Sequence, residues 1–215
     1  MNRHVFAALA LVVTSVSAHA TPYVFEARHS GGVMRWNHLG FSNPTAKFSQ
    51  IEGMLEWNAA DPTKSSVKAT IPMSGVSTGV PDLDDDFRST DFFDFAKFPS
   101  ATFTSTRIAK AAGANHFTVT GDLALHGVTK PVKLHAMINK VGENPRNHLP
   151  TVGFEATTTL KRSDFGLGRY VPQVSDDIHI ELTMAATDAA ATEIHDKAEA
   201  AAEAAKKAAA GAAKD

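Results

Sequence analysis

Cysteine is absent from the 215 residues, which removes disulfides, zinc–thiolate sites, iron–sulfur clusters and thiol nucleophiles together. No apolar run approaches the ~20 residues that a membrane-spanning helix needs; Phe6–Val13 falls well short. Neither sign of charge is in excess, with 21 Lys+Arg against 23 Asp+Glu. A formal charge of −2 gives no global attraction to nucleic acid or to an anionic surface. The 14 Gly and 10 Pro exclude a collagen-like or wholly disordered chain. No G-x-S-x-G element, no H-E-x-x-H or H-x-x-x-H pair and no phosphate-cradling loop before a helix is present. Hydrolase, zinc-peptidase and nucleotide sites therefore have no motif behind them, and no catalytic residue or metal ligand is assigned.

What is present differs between the two ends and the middle. Residues 1–20 carry Arg3, the apolar run Phe6–Val13 and the small-x-small sequence Ala18-His19-Ala20. Together these read as a secretory signal peptide, so a mature chain is expected to start at Thr21 in the bacterial periplasm. Residues 185–215 hold 16 Ala with six acids and four Lys, and Ile194 is their only large apolar residue. Helix propensity is high there, but no apolar stripe exists to dock on a core. A solvated helical tail is the expectation.

Between the ends, residues 21–184 alternate. Val67, Ala69, Ile71 and Met73 occupy every second position. So do Phe117 and Val119, then Leu123 and Leu125 beyond Gly121, then Val132, Leu134, Ala136 and Ile138. Val152, Phe154 and Ala156 follow, and Ile178, Ile180, Leu182 and Met184 close the series. This is the pattern of antiparallel strands with one apolar and one wet face. Within Ala46–Trp57 the parity switches between Phe48 and Ile51, as an irregularity beside Gln50 would produce. Only Pro81–Asp94 reads as helix, with Pro at its start and acids in its first turn. The fold class is therefore all-β, a sandwich or a closed barrel; an eight-stranded antiparallel barrel with one short helix is favoured, since no mid-chain pattern divides the strands into two sheets, and the Ala-rich helical tail follows it. Strands of about 10 residues tilted near 40–45° give a wall roughly 23–25 Å tall. An interior that tall suits an extended lipid tail.

Five blocks in fixed order resemble the YceI-like family of exported, lipocalin-like barrels. They are Trp36-Asn37-His38-Leu39-Gly40-Phe41-Ser42, the stretch Asp84–Asp94, Phe98–Ser105, Gly121–Val132 and Arg162-Ser163-Asp164-Phe165-Gly166. One departure stands out: where the family usually has Leu before Arg-Ser-x-x-Phe-Phe, this chain has Phe87. The resemblance implies binding of a polyisoprenoid or isoprenoid quinone, with no cofactor and no enzymatic activity. It implies no nucleic-acid partner, and pairing into a homodimer is compatible with the sequence. An enzyme using the same pocket, or a structural barrel with a filled core, are the rival readings.

Candidate ligand-binding residues follow from both sources. Ile71, Met73, Leu123, Leu125 and Ile180 lie on the apolar strand face. Trp36, Phe41, Phe103, Phe117, Phe154 and Phe165 either contact the ligand or fill the core, because parity assigns a face and not its contents. Phe92 and Phe93 are either an aromatic lid or a plug at one end. His38 is a candidate donor to a polar head group, or a structural histidine. Arg88 and Arg162 could meet a phosphate through planar, two-pronged hydrogen bonds, or pair with Asp91, Asp94 or Asp164. The Asp82, Asp84, Asp85, Asp86 cluster lacks the spacing of a calcium loop and reads as a solvated helix start.

Overall fold

The structure, a computed structural model, describes residues 20–212. The signal-peptide reading, at residues 1–20, lies outside them but for Ala20. Eleven strands and two α-helices follow in order: β1 Thr21–Phe25, β2 Gly31–Arg35, β3 Thr45–Ser49, β4 Glu52–Trp57, β5 Ser66–Pro72, β6 Val76–Ser77, α1 Pro81–Arg88, β7 Ser100–Lys110, β8 His116–Leu125, β9 Val128–Glu143, β10 Pro150–Lys161, β11 Asp177–Asp188 and α2 Ala189–Ala212. The last strand thus runs four residues past Met184 before α2 begins.

All strand pairings are antiparallel, and β1 pairs with both β4 and β11, which closes the sheet. The ring contains eight staves, because three pairs of short strands are single staves broken by a bend. β1 and β2 are separated by a 3₁₀ turn at Ala27–His29, β3 and β4 by Gln50, and β5 and β6 by a 3₁₀ turn at Met73–Gly75. Each bend resets the side-chain parity. In β3 the buried residues are Ala46 and Phe48, whereas beyond Gln50 they are Ile51, Leu55 and Trp57. Gln50 takes a left-handed φ of 60°, which supplies the extra residue that turns the next side chain inward. A further register shift lies in β7 between Ser105 and Arg107. These bends let a strongly twisted sheet curl into a tube.

One end of the tube is plugged by α1 and residues 89–98. Phe87, buried on α1, sits 5.6 Å from Trp36, 6.1 Å from Phe92 and 5.3 Å from Phe93 between ring centroids. Aromatic pairs at these separations add to ordinary area burial. The Phe at this family-variant position therefore acts in helix packing. Asp84 ties the helix to the chain before it, accepting from the Thr78 N–H and from the hydroxyls of Thr78 and Ser77. Asp91 pairs with Arg169 across to the loop after β10. At the other end Tyr23, Leu55, Trp57, Val152 and Ala186 form a smaller cluster. The tail forms the expected helix, with Ala191 N–H bonded to Asp188 at its start and Ile194 70% exposed.

Two glycines shape the interior. A Cβ on Gly121 would stand 2.5 Å from the Phe103 ring and 2.5 Å from the Thr104 carbonyl. One on Gly32 would stand 2.2 Å from the Phe48 ring. In both places the outer edge of a phenylalanine ring occupies the space a side chain would take. Gly121→Ala is expected to destabilise the protein by about 1–3 kcal/mol, the usual cost of overpacking. Gly142→Ala, where the nearest atom is a Lys140 methylene at 3.9 Å, should be close to neutral. Urea denaturation of both variants checks this, and equal midpoints would contradict it.

Candidate functional site

The inward positions of the eight staves enclose a hollow that runs from Trp57, Pro62 and Ser65 near one end to Met73, Phe93 and Leu125 near the other. Its wall is apolar: of the lining side chains only Ser65 and Thr158 carry a hydroxyl, and none is ionisable. Its volume is about 220 Å³. A space of that size, apolar on every side, suits a slender hydrocarbon chain better than a polar ligand. Water gains little in it, because a buried water needs two or more polar partners.

Nine of the candidate residues line this lumen: Ile71, Met73, Phe93, Phe103, Phe117, Leu123, Leu125, Phe154 and Ile180. They arrive from seven different elements, and period-two alternation is what brings them together. Residues that the candidate set omitted share the wall, among them Phe25, Met34, Phe48, Leu134 and Leu182. Leu134 and Leu182 stand in the alternation already read, whereas the bend at Ala27–His29 breaks the pattern that would have marked Phe25 and Met34.

The other seven candidates lie elsewhere. Trp36 is buried against Phe87 beneath the plug. Phe92 turns from the lumen towards Tyr170, 6.3 Å away. Phe165 is fully buried, in the 3₁₀ turn Arg162–Phe165 outside the lumen. Phe41 is 92% exposed, because Leu39 and Gly40 adopt left-handed φ values of 57° and 78° and form a tight turn. His38 stands at the foot of that turn, its backbone paired with Ser42 and Val174 and its side chain exposed. Neither can contact a chain in the lumen.

Arg88 makes a solvent-exposed pair with Asp85, one helical turn back, at 2.8 Å. Arg162 is taken up entirely by its own loop. Its Nε donates to the Ser175 carbonyl at 2.9 Å, Nη1 to Leu167 and Arg169, and Nη2 to Val174 at 3.1 Å. Burial pulls its pKa below the ordinary arginine value, with Asp176 opposing the shift. A guanidinium whose fork is occupied by four carbonyls has no face left for a phosphate. Asp176, in turn, is partly desolvated, yet the Ser163 N–H and hydroxyl at 2.8 Å each hold its carboxyl below the usual range. Among the described residues one group of three metal-ligating side chains comes within range of itself, His195, Asp196 and Glu199 on the tail helix, none of which lines the lumen.

A closed eight-stave antiparallel meander around a slender, uncharged, apolar hollow places the chain in the class of calyx-like β-barrels. Sequence comparison narrows the class. Residues 23–186 match the model of the YceI-like domain, and the protein belongs to the YceI-like family. A UPF0312 protein of Pseudomonas putida is 36% identical over 172 residues, covering 78% of this chain and 88% of its own. One from Azotobacter vinelandii is 34% identical over 189 residues, covering 86% and 97%. Among solved structures the fold resembles the Campylobacter jejuni YceI protein, with TM-score 0.61 at 27% identity and coverage of 70% and 88%. It also resembles Burkholderia cenocepacia BcnA, with TM-score 0.67 at 23% identity over 75% and 98%. A domain from Saccharophagus degradans described as polyisoprenoid-binding superposes with TM-score 0.58 at 16% identity over 77% and 98%. No helix among the described residues is long and apolar enough to cross a membrane.

Two predictions follow from the loop anchors. Arg162→Ala should cost about 2–3 kcal/mol in urea unfolding, since several carbonyls lose a charged donor at once, and Arg162→Lys should not restore it. Asp84 and Asp176 both have depressed folded pKa values, so the unfolded chain binds protons more readily. Their stabilisation is complete above the ordinary value of 3.8 and is lost as pH falls through the lower folded values. Amide exchange around residues 77–84 and 163–176 is expected to rise there before exchange in β8 and β9.

Proposed function

We propose that the protein is a non-enzymatic periplasmic carrier that sequesters one long apolar lipid, a polyisoprenoid or the side chain of an isoprenoid quinone, in the barrel lumen. The observation that carries this reading is the hollow itself: lined by apolar side chains of all eight staves and without an ionisable one. A hydrolase or isomerase needs titratable groups aimed at its substrate, and none lines this wall. Membership of the YceI-like family, and a fold shared with a domain described as polyisoprenoid-binding, support the lipid class. Export rests on the leader-like residues 1–20 and would place the carrier between two membranes, where an isoprenoid cannot travel unescorted through water.

The energetics favour a thread over a compact ligand. Moving apolar surface out of water contributes about 0.8 kcal/mol per methylene-sized group. Roughly ten such groups therefore offset an association cost of several kcal/mol, and each further group inside the lumen tightens binding until the tube is full. Affinity is expected to climb from geraniol to farnesol to geranylgeraniol and then to level off.

The test is extraction of the purified protein with organic solvent and mass spectrometry of the extract, followed by thermal shift with prenols and quinones. A co-purifying isoprenoid and a melting temperature raised by several degrees are expected. Ala156→Trp, which fills the bore from a buried wall position, should abolish the shift while circular dichroism retains the β signature. Neither lipid nor shift in the parent protein would end the proposal.

A further inference from the structure

The wall of the barrel is split along one seam. β9 and β10 pair from Glu143↔Pro150 as far as His135↔Thr157 and no further. Beyond that point each strand continues without the other. β9 runs back to Val128 paired only with β8, and β10 runs on to Lys161 paired only with β11. The Thr158 hydroxyl reaches across to the Lys133 carbonyl at 2.8 Å, a side-chain link where a ladder bond would stand. Below it the Arg162–Phe165 turn closes the split, its Phe165 carbonyl bonded to His126 Nδ1 at 3.0 Å.

Outside this seam lies a groove of about 830 Å³. Its floor and the lumen wall share four residues: Val132, Thr158, Leu160 and Ile180. The two spaces are therefore neighbours separated by one layer of side chains at the place where the backbone has parted. The groove differs from the lumen in charge. The β9 lip carries Lys130, Lys133 and His135 and no acid, and Arg35 stands opposite on β2. Neither lysine of that lip nor Arg35 makes an ion pair among the described residues. On the far side Lys161 is held by Asp177 at 2.9 Å, and the acids Asp164 and Glu181 complete the groove. A basic lip of this kind is a local feature in a chain whose formal charge is −2.

We propose that the seam is a side portal of the lumen, and that its basic lip holds the phosphate or diphosphate of a prenyl phosphate whose chain lies inside. This rests on the lumen reading above and narrows its ligand to the phosphorylated class. The chemistry is complementary at both levels: the bore removes a hydrocarbon chain from water, and the ammonium groups of Lys130 and Lys133 meet a dianionic head that stays solvated at the surface. Opening requires that Thr158 release one carbonyl and that the side chains of Val132, Leu160 and Ile180 move apart, with no ladder bond between the strands to break.

The experiment is calorimetric titration of the delipidated protein with geranylgeranyl diphosphate, geranylgeraniol and inorganic pyrophosphate, for the parent and for the Lys130→Glu/Lys133→Glu variant. The diphosphate lipid should bind the parent at least tenfold more tightly than the alcohol, by a margin that shrinks with added salt. The variant should lose that margin and keep its affinity for the alcohol within twofold, which also shows that it is folded. Equal affinity of the parent for the two lipids, or a margin unchanged in the variant, would overturn the portal and leave the lumen reading standing. Pyrophosphate binding as tightly as the diphosphate lipid would reduce the seam to an ion site and overturn it likewise. Failure of both lipids to bind the parent would remove both readings, and failure of the diphosphate lipid alone would overturn the portal.

Discussion

Pairing of β1 with β11 turns a twisted sheet into a ring, and the apolar interior exists only because that ring is closed. An open sheet with this inward face would expose a continuous apolar strip and two unpaired edges. Closure buries the strip without requiring a second sheet to cover it. It also demands curvature, which regular strands do not supply. The bends at Ala27–His29, Gln50 and Met73–Gly75 fall in three consecutive staves, so the sheet folds over along one corner, as a box folds along a scored line. The residue in each bend is spent on geometry, and its neighbours pay with a change of face.

A closed barrel of this size could have been filled with side chains. That it is hollow follows from particular choices. Gly32 and Gly121 let Phe48 and Phe103 lie against the wall, while Ala69, Ala101, Ala136 and Ala156 contribute almost nothing towards the axis. Leaving such a void forgoes dispersion contacts, at a cost on the order of several kcal/mol by analogy with engineered cavities. A protein selected only for stability would fill the space with Leu or Ile. The emptiness is thus a physical argument for a guest, independent of family membership.

The alternation along β5, β8, β9, β10 and β11 made the barrel and five stretches of its lining legible in the sequence, because a strand's parity is a local property. The parity change at Gln50 was legible for the same reason. What escaped was relational. Phe41 and His38 belong to a block that the family resemblance marks, yet two left-handed residues at Leu39 and Gly40 turn the chain back on itself there. Arg162 has the chemistry of a phosphate ligand, but its partners are the carbonyls of Leu167, Arg169, Val174 and Ser175, acceptors that every residue owns and no motif records. Arg88 found Asp85 in place of the acids considered for it, since i,i+3 on a helix is nearer than anything further along the chain. The seam between β9 and β10 leaves no mark in either strand's sequence; it is visible only as the point where two registers stop coinciding.

An apolar tube constrains the polar end of any lipid it accepts. A charged head drawn into the lumen would lose its hydration with no partner inside, a penalty far larger than the tail's gain. The head must therefore rest where the wall meets water. At one end that route is obstructed by Phe87, Phe93 and Trp36, packed ring against ring beneath α1. Trp57 and its buried neighbours narrow the other. The flank between β9 and β10 is closed by one layer of side chains with no ladder bond behind it, and it is the place where side chains of the lumen wall are also side chains of a basic outer groove. Plugged ends and a parted side make sense together under the proposed binding mode: an aromatic cap would hold the chain in, and the seam would give its head somewhere to stay wet.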